Sequence, residues 1–346
     1  MPARVLLSLL LVSVAVAAQT PAPWAEEEAK CLRNIKQLTH HFVRAGEAYF
    51  SPDMHHIIFQ AEEKGENPFY QMYIMNLATG KTWRVSPGAG RTTCGYFHPS
   101  GQKIIFASGH TNPDLAKEYA EERAKREEEA KTRQRRRYQW DFDPNIKIYE
   151  ADLDGGNLKL LTDAPGYNAE GAYSPDGKQI VFTSNRDGNL ELYIMNSDGS
   201  EVRKLTNAPG CYNGGPFFSP DGQRVIFRAD RKKKDWLQIH VINVDGTGDT
   251  QLTDTQGVNW GPYWHPDGQH IIYSAADHSN PSARPNYDLY LMHLASRRTW
   301  RITYAPGADV LPVFSPDGKK LMWTSTRDGR MSGAQVFIAD FEMPKD

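Results

Sequence analysis

The sequence predicts an all-β protein: a six-bladed β-propeller of four-stranded blades. An N-terminal strand joins the last blade and closes the ring, and a charged helix is inserted in blade two. Three observations carry this reading. One nonapeptide occurs six times: SPDMHHIIF (51–59), HPSGQKIIF (98–106), SPDGKQIVF (174–182), SPDGQRVIF (219–227), HPDGQHIIY (265–273) and SPDGKKLMW (315–323). The last four copies begin at 174, 219, 265 and 315, spacings of 45, 46 and 50 residues, and about 40–50 residues make one four-stranded blade. The two ends of the repeat region are also complementary. "IKQLT" (35–39) reads as a fourth strand with no blade before it, and "AQVFIADF" (334–341) as a third strand with no fourth after it. Pairing them would hide a sheet edge.

Residues 1–18 read as a signal peptide. Arg4 precedes an apolar run from Val5 to Val16, small residues follow in "AVAAQT", and cleavage is expected after Ala17 or Ala18. The run is short of the ~20 apolar residues that span a bilayer, so an uncleaved anchor is the weaker alternative. No cysteine follows it directly, so no lipid-anchored start is expected. Residues 19–30 read as a linker and 31–346 as the propeller. The expected location is therefore exported, periplasmic or extracellular.

Each repeat is a β-hairpin. In Ser174-Pro175-Asp176-Gly177, Ser suits the first position of a type I turn, Pro presets φ at the second, and Gly supplies the permissive last position. Met54 and Ser100 break the pattern at the Gly and Asp positions, which predicts less regular hairpins in blades one and two. A third strand follows each hairpin, as in "ELYIMNSDGS" (191–200), "QIHVINVDGT" (238–247) and "DLYLMHLASR" (288–297). A fourth follows that, as in "LKLLTDAPG" (158–166), "RKLTNAPG" (203–210), "TQLTDTQG" (250–257) and "WRITYAPG" (300–307). Consecutive apolar residues such as Ile180, Val181 and Phe182 fit sheets packed on both faces.

The S-P-D-G hairpin, the "LYIMNSDGS" strand and the "KLTNAPG" link resemble the repeats of the TolB-type propeller over residues 35–341. That resemblance implies a periplasmic protein of the Tol–Pal envelope system that binds partners. TolB-type proteins carry an α/β domain before the propeller, and this chain is expected to lack one.

The second and third hairpins lie 76 residues apart, and the excess falls in an insertion at 110–145. Its first part reads as a helix stabilised by Glu121–Lys125, Glu122–Arg126, Glu127–Lys131 and Glu129–Arg133 pairs. With few apolar residues, it is expected to project from blade two and return through Trp140 and Phe142. Arg133, Arg135, Arg136 and Arg137 then form a basic cluster. This is either a solvated helix end or a dock for an anionic partner.

The balance of 40 basic and 42 acidic residues argues against whole-surface attraction to nucleic acid or to an anionic membrane. A monomer is expected. Cys31, Cys94 and Cys211 cannot all pair within one chain, and a Cys94–Cys211 bridge is the option left open. There is no G-x-S-x-G elbow, H-E-x-x-H, Walker loop or paired C-x-x-C. The chain also stops after the sixth blade, so an appended hydrolase domain is expected to be absent. No cofactor and no metal are expected. His40-His41 and His55-His56 are strand neighbours that point apart, and His98 and His265 sit on hairpins three blades apart. Oligogalacturonate lyases resemble the repeat too, and that resemblance implies an alternative: a carbohydrate-active enzyme with a manganese site at the channel mouth. Their propellers have seven blades.

The remaining site is the axis, where the link before each innermost strand reaches the channel mouth. Aligned copies place Arg44 and Glu47 there from blade one, Arg91 and Thr93 from blade two, and Tyr167, Asn168 and Glu170 from blade three. Tyr212 and Asn213 come from blade four, Asn259 and Trp260 from blade five, and Asp309 from blade six. These residues either hydrate the channel or grip an envelope protein or peptide. The function expected is non-enzymatic capture of such a partner.

Overall fold

The hairpin turn is built from its own side chains. Ser174 Oγ donates to Asp176 Oδ1 (2.6 Å), the Lys178 amide donates to the same oxygen (3.1 Å), and the Gln179 amide donates to Ser174 Oγ (2.9 Å). Gly177 takes φ +73° and its amide donates to the Ser174 carbonyl. Ser219 and Ser315 repeat this arrangement. Blade one keeps it as well, contrary to the irregularity expected there. Met54 occupies the left-handed position at φ +59°, and its amide still donates to the Ser51 carbonyl (2.9 Å). The turn is thus specified by the Ser–Asp pair, and the glycine only removes strain.

The computed structural model describes residues 22–133, 142–280, 282, 285–327 and 333–345. It contains six four-stranded antiparallel sheets. From the axis outward, blade one comprises Arg44–Phe50, His56–Glu62, Gln71–Asn76 and Thr82–Arg84, and blade two Thr92–Phe97, Lys103–Ser108, Lys147–Asp152 and Lys159–Leu160. Blade three comprises Asn168–Tyr173, Gln179–Ser184, Glu191–Asn196 and Arg203–Lys204, and blade four Asn213–Phe218, Arg224–Ala229, Gln238–Asn243 and Thr250–Gln251. Blade five comprises Gly257–Trp264, His270–Asp277, Asp288–His293 and Thr299–Arg301. Blade six comprises Asp309–Phe314, Lys320–Ser325, Gln335–Phe341 and, outermost, Leu32–Gln37 from the chain start. Leu32 faces Phe341 and Gln37 faces Phe337 in that last pairing. Thr39 Oγ donates to Gln335 Oε1 (2.7 Å) just beyond it.

This topology gives the ring two unlike faces. The repeat hairpins and the third-to-fourth-strand turns lie on one, the hairpin face. The links entering the innermost strands and the second-to-third-strand connections lie on the other, the mouth face.

Two expectations are corrected here. Residues 23–28, read as linker, form a short helix (Pro23–Glu28) that docks on blades five and six through buried Glu28. Its carboxylate accepts from the Tyr304 (2.7 Å) and Ala305 (3.0 Å) amides and pairs with Arg327 (3.0 Å). The insertion helix (Leu115–Thr132) lies on the mouth face but does not project freely from blade two. Tyr119 Oη accepts from the Gly90 amide (2.6 Å), and its ring meets Phe69. Arg126 pairs with Glu62 (2.6 Å) and donates to the Pro68 carbonyl (2.7 Å), while Arg123 donates to the Glu66 carbonyl. The helix buries no residue of its own, so polar contacts fix it against blade one. Of the expected pairs, Glu122–Arg126 forms at 2.8 Å.

Cys31, Cys94 and Cys211 are all free thiols, so the Cys94–Cys211 bridge does not form. The expected leader at 1–18, Arg135, Arg136, Arg137 and Trp140 lie outside the described residues. No helix among the described residues is long and apolar enough to cross a membrane.

Candidate functional site: the axis of the ring

Every innermost strand breaks its register with the second strand at the same place, as between Gly46 and Tyr49 or between Ala169 and Ala172. Each break holds one residue in the left-handed region: Glu47 (φ 47°), Cys94 (55°), Glu170 (59°), Gly215 (58°), Gly261 (56°) and Leu311 (54°). Four of these six are not glycine, so the backbone carries strain at a shared position, and a bulge of this kind re-aims its side chain. The bulges are also stitched around the ring. The amides of Glu47, Gly215 and Leu311 donate to Thr324 Oγ1 (2.9 Å), Glu170 Oε2 (2.6 Å) and Ser274 Oγ (2.9 Å) of the preceding blade.

Side chains from blades one to four therefore converge at the axis. Glu170 is buried and accepts from Arg228 (2.8 Å), Thr183 Oγ1 (2.8 Å) and the Gly215 amide. Gly214 and Gly215 leave room for this ion pair, because a Cβ at either would collide with Glu170 or Arg228. Burial opposes the Arg228 charge, but Glu170 outweighs that and raises its pKa. Glu47 is half-buried and has no such cation. Tyr49 Oη stands 3.4 Å from it, and burial together with the nearby Glu170 charge pushes its carboxyl up to about 7. The Cys94 thiol beside it is raised well above its ordinary value, first by burial and then by Glu47. Blades five and six contribute only Gly261 and Leu311 to this level.

Two residues further toward the hairpin face, aromatic rings fill the axis. Tyr49 meets Tyr96 at 5.2 Å and Phe217 at 5.6 Å between ring centroids, and Phe217 meets Tyr263 at 5.1 Å. Tyr96 Oη and Tyr263 Oη stand 3.3 Å apart. Blades three and six place Ala172 and Val313 in this layer. The axis thus has a polar level above an aromatic seal.

Of the residues expected at the mouth, the structure brings Glu47 and Glu170 together at the axis. Asn168, Asn213, Asn259 and Asp309 are fully buried and hold the blades. Asn168 Nδ2 donates to the Ala164 and Gly166 carbonyls, Asn213 Nδ2 to Glu191, Asn259 Nδ2 to Gln238, and Asp309 accepts from Trp323 and Arg327. Tyr167 is also buried, with Phe142 of the insertion edge-on to it (5.4 Å). Buried Thr93 bonds Gln60. Half-buried Arg44 pairs with Glu62 (2.7 Å) and lies over Tyr70, and Arg91 lies over Phe69, so both belong to the rim that carries the insertion helix. Tyr212 lies under the Arg228 guanidinium, and Trp260 is half-buried beside Tyr287.

Cys94, Arg228 and the aromatic seal were missed. The bulge residue stands four positions before the first residue of every hairpin. The column reads Glu, Cys, Glu, Gly, Gly, Leu, which has no compositional signature. His98 and His265 serve packing: each ring stands edge-on to an aromatic of the next blade, Tyr173 and Phe314, both at 4.7 Å. Among the described residues, no three His, Cys, Asp or Glu side chains gather as a metal-holding group.

Comparisons with known proteins agree with this architecture. The PD40 family, described as the TolB beta propeller domain, matches residues 139–214. The chain is 31% identical over 247 residues to dipeptidyl-peptidase 5 of Porphyromonas gingivalis, covering 58% of this chain and 36% of that protein. It is 34% identical over 113 residues to the Tol-Pal system protein TolB of Anaeromyxobacter dehalogenans, covering 33% of this chain and 25% of that protein. The chain thus spans about a third or less of these relatives' lengths. Among solved structures, a putative TolB from Agrobacterium tumefaciens superposes with TM-score 0.59 at 19% identity, covering 86% of this chain and 91% of that one. The oligogalacturonate lyase of Vibrio parahaemolyticus superposes with TM-score 0.54 at 14% identity, covering 88% and 93%. These two likenesses show the fold. Repeat, fold and matches together identify the chain as a TolB-like β-propeller.

Proposed function

We propose that this protein is an exported, non-enzymatic binding module that captures a loop or extended segment of an envelope protein at the mouth of its central channel. The observation that carries the reading is the asymmetry of the axis. Four aromatic rings fill it on the hairpin side, while strained bulges hold Glu47 and Glu170 at the level above, where Arg228 of a second strand pairs with Glu170. Strain of this kind persists where the surrounding structure over-determines it, and it clusters at functional positions. A blind socket with polar walls and an aromatic floor suits an inserted side chain better than a through-channel does. The likeness to TolB supports a protein partner, and the secretory pattern read in residues 1–18 supports the location.

The test is capture from an envelope extract by wild-type protein and by the Glu47→Gln/Trp260→Ala variant. Neither position anchors a buried ion pair, so the variant should remain folded. The reading expects a band retained by wild type and lost by the variant. Equal capture by both folded proteins would remove the channel mouth as the site.

A further inference from the structure

Each blade contains a socket on its mouth side, formed by paired rings of the second and third strands. In blade three, Arg186 fills it. Its guanidinium lies 5.1 Å from the Phe182 ring and 4.9 Å from the Tyr193 ring, donates to Asn168 Oδ1 (2.9 Å) and meets Ser184 Oγ (3.1 Å). Arg327 does the same in blade six over Trp323 and Phe337, donating to Asp309 Oδ2 (2.9 Å). Arg231 lies over Phe227 in blade four, Phe42 packs on Phe59 and Tyr73 in blade one, and His110 packs on Tyr149 in blade two.

Blade five keeps the socket and changes the occupant. The register aligns Asn168, Ser184 and Glu191 of blade three with Asn259, Ala275 and Asp288 of blade five. The residue two after Ser184 is Arg186, and the residue two after Ala275 is Asp277. The two rings persist as the stacked pair Tyr273 and Tyr290. Where the guanidinium stands in blade three there is a cleft of about 880 Å³, lined by Tyr273, Tyr290, Asn259, Asp277, Asp288 and Arg301. Two buried acceptors are left over. Asn259 is 1% exposed and Asp288 is 4% exposed, and the Oδ1 atom of each has no hydrogen-bond partner among the described residues. The other oxygen of Asp288 is taken by Arg301 (2.7 Å). With Asp277 exposed and negative, the cleft carries one unit of uncompensated negative charge.

We infer that the blade-five cleft is an arginine socket completed from outside, taking the guanidinium of an arginine on a partner peptide. A guanidinium is planar, permanently charged and rich in forked donors, and it packs on aromatic faces, which matches two orphaned acceptors, an exposed carboxylate that accepts from the Ser279 amide (2.7 Å), and two phenol rings. Blades three and six display the same chemistry satisfied internally. The site is separate from the axial socket and does not depend on it.

The test is calorimetric titration of the full chain with N-acetyl-Gly-Arg-Gly-amide and with the same peptide carrying citrulline. Wild type is expected to bind the arginine peptide saturably, and the citrulline peptide roughly tenfold more weakly or worse, since it keeps the shape and loses the charge. Asp277→Arg installs the residue of blade three; it should raise the melting temperature and abolish binding. Asp277→Ala, at an exposed position, should weaken binding several-fold with melting unchanged. Failure of wild type to bind, or equal binding by Asp277→Arg, would overturn the inference.

Discussion

Glu28→Ala should destabilise the whole ring, although Glu28 lies outside every repeat. In blade three, Glu191 accepts from the Ala208 amide and Thr206 Oγ1 of the following link. The matching residue of blade five is Asp288, one methylene shorter, and the Ala305 amide turns instead to Glu28 of the N-terminal helix. Glu28 is 1% exposed and also holds Arg327. Breaking a buried ion pair costs about 3–5 kcal/mol, and because Arg327 keeps Asp309 at 2.9 Å, the lower end of about 3 kcal/mol applies. Unfolding entropy of about 2.1 cal/mol/K per residue over the roughly 310 described residues converts that to a fall of about 4–5 °C in melting temperature. Glu28→Gln keeps an acceptor for the two amides and loses the charge, so it should fall between Ala and wild type. Glu27→Ala, which removes only an exposed pair with Lys30, is the control and should not move the transition. Differential scanning calorimetry of the four proteins decides the matter. A Glu28→Ala transition within a degree of wild type would refute the latch.

Met54→Gly should raise stability by roughly 1 kcal/mol, since a left-handed non-glycine residue costs about 1–2 kcal/mol and the added freedom of the unfolded chain offsets part of the gain; chemical denaturation would read it. Glu47→Gln should alter how stability depends on pH. The folded Glu47 carboxyl sits at about 7, above its ordinary 4.5, so the folded state holds a proton the unfolded state has lost, and wild type should lose stability as pH rises between those values. The variant should lack that slope and exceed wild type at pH 8, and parallel melting curves from pH 5 to 8 would contradict the assignment. Arg126→Ala should free the insertion helix from Glu62 and the Pro68 carbonyl. Faster amide exchange across 115–132 with the blades unchanged is the expected result, and unchanged exchange would show that Tyr119 and Arg123 suffice.

The blades were legible because their information is local and repeated. A Ser–Asp pair bonds within four of the hairpins, and His98–Ser100 and His265–Asp267 take its place in the other two, so six similar nonapeptides give six similar turns. The strand at the chain start was legible for a different reason: "IKQLT" matches the fourth-strand pattern, and it lies in the segment that pairs with Gln335–Phe341. The axis was only half legible. Alternation along a strand predicts which side chains reach the channel, and the bulge at Glu170 resets that alternation, turning Asn168 into the blade and Glu170 to the axis. Arg228 comes from a second strand, where no alignment of innermost strands would look. The N-terminal helix was hidden because Glu28 is defined by what Asp288 cannot reach, and one chain segment does not announce a deficiency in another. The blade-five cleft is legible only after the register is known, as an aspartate standing where blades three, four and six place arginine.

The most direct test of the central claim, that recognition occurs on the mouth face, is site-specific photo-crosslinking in producing cells. A benzophenone amino acid would be placed at Trp260 on the mouth face and, separately, at Lys178 in a repeat hairpin on the opposite face. The account predicts one discrete adduct from position 260, lost when Glu47→Gln is added, and none from position 178. Equal adducts from both faces, or an adduct from the hairpin face alone, would contradict it.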